Sequence, residues 1–225
     1  MKNKLIIISM ILLTFVVGGC NKKEETKKVS TDGTKFKAEY EKYNGLKDGN
    51  KDYLNVTIDE KNPIKYSTED EIADLIKNKS GVIYLGFPEC PWCRNAVPVL
   101  LEAAKETGMQ DIYYLNMKDI RDEKVLENKK IVTKKEGTTG YYKLVDLLKE
   151  HLNSYDGLND STIKRIYVPL VVFVYEGKIV GVHADTVKSQ KDPYKALSLD
   201  QNDELKKIYK ENMHKVLNDL CDQTC

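Results

Sequence analysis

The chain predicts an α/β domain built on a central mixed sheet flanked by helices. Three observations carry that reading. Short apolar runs of strand length alternate with longer runs of helical spacing. One run, Gly81 to Phe87 (GVIYLGF), is almost continuously apolar, as a strand covered on both faces must be. The runs 166–174 and 178–182 flank a Glu176-Gly177 turn, which predicts a hairpin and makes the sheet mixed.

The elements follow in order. Phe36, Tyr40 and Tyr43 form a helical stripe that ends near Asn44-Gly45. Tyr53 to Ile58 (YLNVTI) alternates and predicts a strand. Ser67 or Thr68 with Glu71 forms a capping box ahead of the helical face of Ile72, Leu75 and Ile76. After the strand at 81–87, Pro91 to Thr107 predicts a helix through Val97, Leu100, Leu101 and Ala104. Ile112 to Met117 is a strand. The segment 119–165 reads as an insertion holding one helix, at 142–152. Ile166 to Val174 is a strand interrupted by Pro169, Lys178 to Val182 is the next, and Asp203 to Leu220 closes as a helix. Tyr84, Tyr113, Tyr114, Tyr167 and Tyr175 fall in these strands, where aromatic residues serve packing before any ligand platform.

Composition excludes several classes. The chain has 225 residues, with 36 Lys+Arg against 35 Asp+Glu. That balance does not fit a dedicated nucleic-acid binder. At 41% hydrophobic and 32% charged it is not a multi-span membrane protein. Its five cysteines are too few for a disulfide scaffold. Their spacing is informative: Cys20 alone, Cys90 with Cys93, and Cys221 with Cys225.

The N-terminus reads as an address. Lys2 and Lys4 precede an apolar run, Leu5 to Val17, which is too short for a comfortable span and matches a signal-peptide core. Val17-Gly18-Gly19-Cys20 resembles the lipobox of bacterial lipoproteins, which implies a signal peptide over 1–19 and a lipid on the Cys20 sulfur. Residues 20–35 are too polar to order themselves and predict a tether. The folded domain is then expected at 36–225, attached by lipid to the outer side of the cell membrane, where disulfides persist.

Cys90-Pro91-Trp92-Cys93 carries the chemistry. It ends the strand 81–87 and opens the helix 91–107. A helix N-terminus offers unpaired N–H groups and partial positive charge, both of which favour a thiolate. Cys90 is therefore the expected attacking thiol and Cys93 the resolving one. Half a zinc site and a structural disulfide are the other readings of such a pair. Zinc wants four ligands, and His151, His183 and His214 stand near neither each other nor the pair. No metal and no cofactor are expected. Glu89 and Arg94, on either side of the pair, read as solvated charges. Trp92 is expected beside the sulfurs as an apolar contact for substrate. Cys221 and Cys225, four apart at the end of the last helix, form a possible secondary disulfide, with a redox relay or exposed thiols as alternatives.

The runs GVIYLGFPECPWCRNAVPVLLE (81–102) and YVPLVVFVYEGKIVGVH (167–183) resemble the thioredoxin-like superfamily. The resemblance implies a thioredoxin-like fold with a helical insertion before the cis-proline strand. It implies a cis Val168–Pro169 bond facing the cysteines, and substrate pairing along the Val168 backbone. Pro98 matches the proline that kinks the active-site helix in that family. Three departures stand out: Tyr84 where the family's thioredoxins carry a buried acid, the length of 119–165, and the dipeptide Pro91-Trp92. The implied activity is a thiol–disulfide oxidoreductase leaning toward oxidation. Its implied partners are exported cysteine-containing proteins and a membrane redox partner, with no nucleic acid. The competing expectation is a non-catalytic surface lipoprotein, a binding or assembly factor on the same fold.

Overall fold

The computed structural model describes residues 31–221; the segment 1–19 expected to be a signal peptide, Cys20, Cys225 and the Cys221 side chain lie outside the described residues. In chain order the elements are α1 (Asp32–Glu41), β1 (Lys47–Asp48), β2 (Lys51–Asp52), β3 (Ile64–Tyr66), α2 (Glu69–Asn78), β4 (Gly81–Gly86), α3 (Pro91–Thr107) and β5 (Ile112–Asn116). Then come β6 (Glu123–Glu127), β7 (Lys130–Lys135), α4 (Thr139–Leu148), a 3₁₀ turn Lys149–His151, β8 (Leu170–Tyr175), β9 (Lys178–Ala184) and α5 (Leu199–Cys221). Among the described residues, no helix is long and apolar enough to cross a membrane.

Five strands form one mixed sheet in the order β3-β5-β4-β8-β9. β4 runs parallel to β5 and antiparallel to β8, with Tyr84 opposite Tyr114 on one side and Val171 on the other. Every residue of β4 is buried. Its side chains alternate between two cores, as the period of a strand requires. Val82 and Tyr84 join Tyr114, Phe173 and the apolar faces of α1, α3 and α5. Ile83 and Leu85 join Val172, Val174 and the faces of α2 and α4. The result is three layers, helices on both sides of the sheet.

Local chemistry explains the boundaries. Thr68 caps α2, with Glu71 completing the reciprocal box. α3 starts on Pro91, which needs no intrahelical partner for its missing N–H. It stops at Gly108, whose φ of 76° is left-handed and comes free of a Cβ penalty.

Several expectations are corrected. α1 begins at Asp32, inside the segment read as tether, because Thr31 and Thr34 cap each other across its first turn. The run Tyr53 to Ile58 is not a strand. Its alternation does report burial, since Val56 and Ile58 are covered. Its backbone, however, bonds to side chains: Val56 to both ends of the Asn44 amide, and the Ile58 N–H to the Glu41 carboxylate at 2.8 Å. The segment 119–165 is not purely helical. It holds the antiparallel hairpin β6–β7 as well as α4. Nor is α4 an appendage, because Tyr141, Leu144 and Leu148 are fully buried and build half of one helical layer.

Candidate active site

The site sits where β4 ends and α3 begins. Cys90 is the N-cap of α3, and its sulfur accepts the Cys93 backbone N–H at 3.3 Å. The same sulfur lies 3.6 Å from the Val168 carbonyl oxygen, to which the thiol donates. Val168 and Pro169 are joined by a cis peptide bond and are both buried. The Asp185 N–H donates to the Pro169 carbonyl at 2.9 Å, tying the end of β9 to the same corner. The structure thus brings Cys90, Cys93, Val168 and Pro169 together from segments some 75 residues apart in sequence.

The two thiols differ. Cys90 keeps a sliver of exposure, 6%, and Cys93 has none. The hydrogen bond from the Cys93 thiol holds Cys90 below the ordinary thiol range. Burial opposes it, while the backbone N–H groups of Cys93 and Trp92 and the charge of Arg121 add to it. Burial pushes Cys93 well up, and the neighbouring Cys90 sulfur pushes it further. Cys90 is therefore the more readily ionised and the more accessible of the two, and Cys93 is held as a thiol beneath it.

Trp92 is half-buried. It forms one wall of a groove of about 870 Å³ that continues over Tyr167, His183, Asp185, Val187 and Glu204. The His183 ring is partly covered; burial holds it below the usual histidine range despite its 2.7 Å contact with the Thr186 carbonyl.

Two flanking charges depart from expectation. Arg94 is not solvated but fully buried. Its guanidinium donates to the carbonyls of Leu54 (2.7 Å), Tyr40 (2.8 Å) and Pro88 (3.2 Å) and to Asn44 Oδ1 (2.6 Å). That network joins α1, the extended segment at 54–58 and the loop before Cys90. Glu89 is not a free loop carboxylate. It accepts from the Tyr43 hydroxyl and from Lys118 Nζ at 2.7 Å. Burial alone would raise its carboxyl, but Lys118 and Tyr43 hold it below the usual range.

Sequence reasoning missed Arg121. It follows β5, stacks its guanidinium on the Phe87 ring at 4.9 Å and sends positive charge to Cys90. Nothing in its local sequence marks it, since it lies in a charged stretch. Arg94 had a signal. Ala96 to Leu101 is apolar without a break, which marks the first half of this helix as deeply set and its neighbour Arg94 as a candidate for burial.

No protein-family model matches the chain, and no curated protein matches it.

Proposed function

We propose that this protein is a thiol–disulfide oxidoreductase of thioredoxin-like fold, acting on exported proteins from a lipid anchor at Cys20. One observation carries the reading: the slightly exposed Cys90 sulfur at a helix N-cap, 3.6 Å from the Val168 carbonyl beside Pro169 and held below the ordinary thiol range. A thiolate in that position can attack a substrate disulfide, and Cys93 stands ready to resolve the mixed disulfide. An extended substrate can lie along Val168 with Trp92 and the adjoining groove taking its neighbouring side chains. The sheet order, with the reactive helix following a central strand, supports the thioredoxin-like assignment. Influences that favour the Cys90 thiolate stabilise the reduced form, so the reading leans toward an oxidant recycled by a membrane partner.

The test is disulfide exchange by the purified chain. The native protein is expected to turn over a protein disulfide such as that of insulin and to regain activity with a thiol couple. Cys90→Ala should abolish turnover. Cys93→Ser should trap substrates as mixed disulfides on Cys90. A Cys90→Ala variant as active as the native chain, or a Cys93→Ser variant that traps nothing, would overturn the proposal in favour of a binding role.

A further inference from the structure

Trp92, two residues from Cys90, is one wall of the groove of about 870 Å³; the other walls come from 153–167 of the insertion and from 183–208, after the last strand. The charges in it are one-sided. Among the described residues, Asp156, Asp185 and Glu204 line it against a single cation, Lys188. Resting on the redox reading above, we infer that this groove selects substrates with a lysine or arginine within two residues of the cysteine that Cys90 attacks, Asp185 and Glu204 receiving the basic side chain.

Three observations support this. The first is position. Asp185 directly follows β9, and its backbone N–H donates to the Pro169 carbonyl at 2.9 Å. Its carboxylate therefore springs from the corner where a substrate strand would lie along Val168. With a rise of about 3.3 Å per residue, a neighbour one or two places from the bound cysteine brings a lysine within reach of it. The second is that these acids are left open. Other carboxylates around the reactive loop are engaged: Glu89 by Lys118, Asp122 by Lys124, and Asp48 by the Tyr194 hydroxyl. Among the described residues, Asp185 and Glu204 close no ion pair and accept no hydrogen bond through their carboxylates, and both are exposed. The third is the ring that shares the groove. His183 Nε2 lies 2.7 Å from the Thr186 carbonyl, which only accepts, so that nitrogen carries the proton. Burial favours the neutral ring, whose Nδ1 is then a further acceptor and whose charge offsets none of the acids.

A cleft with apolar walls and one sign of charge concentrates the opposite charge and speeds its arrival. Trp92, Val187 and Ile208 supply apolar wall here. They can cover the methylenes of a lysine or the stem of an arginine while its charged end meets the carboxylates. The groove thus adds a choice of partner to a thiol that would otherwise attack any accessible disulfide.

The test uses short peptides whose one cysteine is joined by a disulfide to the coloured aromatic thiol thionitrobenzoate, with lysine, serine or glutamate two residues to either side. Cys90 attacks the peptide sulfur, the Cys90–peptide disulfide forms, and the coloured thiolate leaves. With the reduced full-length chain at low salt, the lysine peptide is expected to react about tenfold faster than the glutamate peptide, with the serine peptide between them. The ratio should shrink in molar salt. Both rates belong to one protein, so their ratio is insensitive to changes in the Cys90 thiol itself. Asp185→Asn combined with Glu204→Gln should cut the ratio to about twofold, what remains being the attraction of any lysine to a thiolate. Lys188→Glu should raise it. Asp203→Asn, an acid of α5 outside the groove lining, should leave it unchanged. Equal rates in the native chain, or a native-sized ratio in the double variant, overturn the inference. Should the double variant fail to fold, a ratio that neither salt nor Lys188→Glu moves overturns it instead. A chain that shows the ratio but turns over no protein disulfide sinks the functional proposal and leaves the preference of the groove standing. A chain that turns over insulin with equal peptide rates does the reverse.

Discussion

Two arginines flank the cysteine pair, and they are used in opposite ways. Arg94, behind the pair, has no exposure and spends its donors on four oxygens of neighbouring segments. Arg121, in front, lies half-buried on an aromatic ring and, among the described residues, ends in no ion pair. A buried guanidinium met by carbonyls is committed to architecture, because any acceptor it abandons is left dry. A guanidinium resting on a ring keeps its field available to whatever charge forms nearby. The lesson is that the same side chain supplies shape on one side of a reactive sulfur and potential on the other.

Substitution can break that contrast at its stronger end. Arg94→Ala removes the ties among α1, the 54–58 segment and the Pro88 loop, and leaves a cavity. It should cost about 3 kcal/mol or more in urea unfolding. A loss under about 1 kcal/mol would mean the socket relaxes and the contrast is false.

Arg121→Gln sharpens the other end. Stability should change by less than about 1 kcal/mol, as for a partly exposed charge. The inflection in Cys90 alkylation against pH should move up, because a cation favouring the thiolate is gone. Near neutral pH the rate should fall roughly two- to fivefold, what one partly screened charge is worth. An unshifted inflection would remove Arg121 from the site.

The smallest effect concerns His183, on the groove wall away from both arginines. Its folded-state value lies below the ordinary 6.5. Between those two values the unfolded chain takes up a proton that the folded one refuses, so stability falls as pH falls through that window. His183→Gln should flatten this part of the stability–pH curve. A curve that keeps its slope would assign the acid sensitivity elsewhere.

Much of this molecule was legible in the residues, for physical reasons. β4 and α3 were readable almost to the residue, since an unbroken apolar run, a proline at the first helical position and a closing glycine all agree. β6 and β7 were not, because their apolar residues come as adjacent pairs, Val125-Leu126 and Ile131-Val132, among lysines and glutamates, with no period of two and no buried face. β3 is three residues long, with Lys65 in its middle, and exists because β5 offers it an edge. Within the site, the cysteines and Pro169 announce themselves by type and spacing. Arg121, Lys118 and Tyr43 do not, for their roles come from distant segments meeting at one loop.

α1 and the residues after it meet the strand, the helix and the loop of the site in turn: the Tyr40 hydroxyl meets Tyr84 of β4, the Tyr40 carbonyl meets Arg94 of α3, and Tyr43 just beyond the helix meets Glu89. A fragment trimmed to start at the first strand would retain the whole sheet and both thiols, yet discard the inner lining of their niche. The smallest folded unit therefore starts near Thr31, because shorter expression boundaries would also strip Phe36 and Tyr40 from the core.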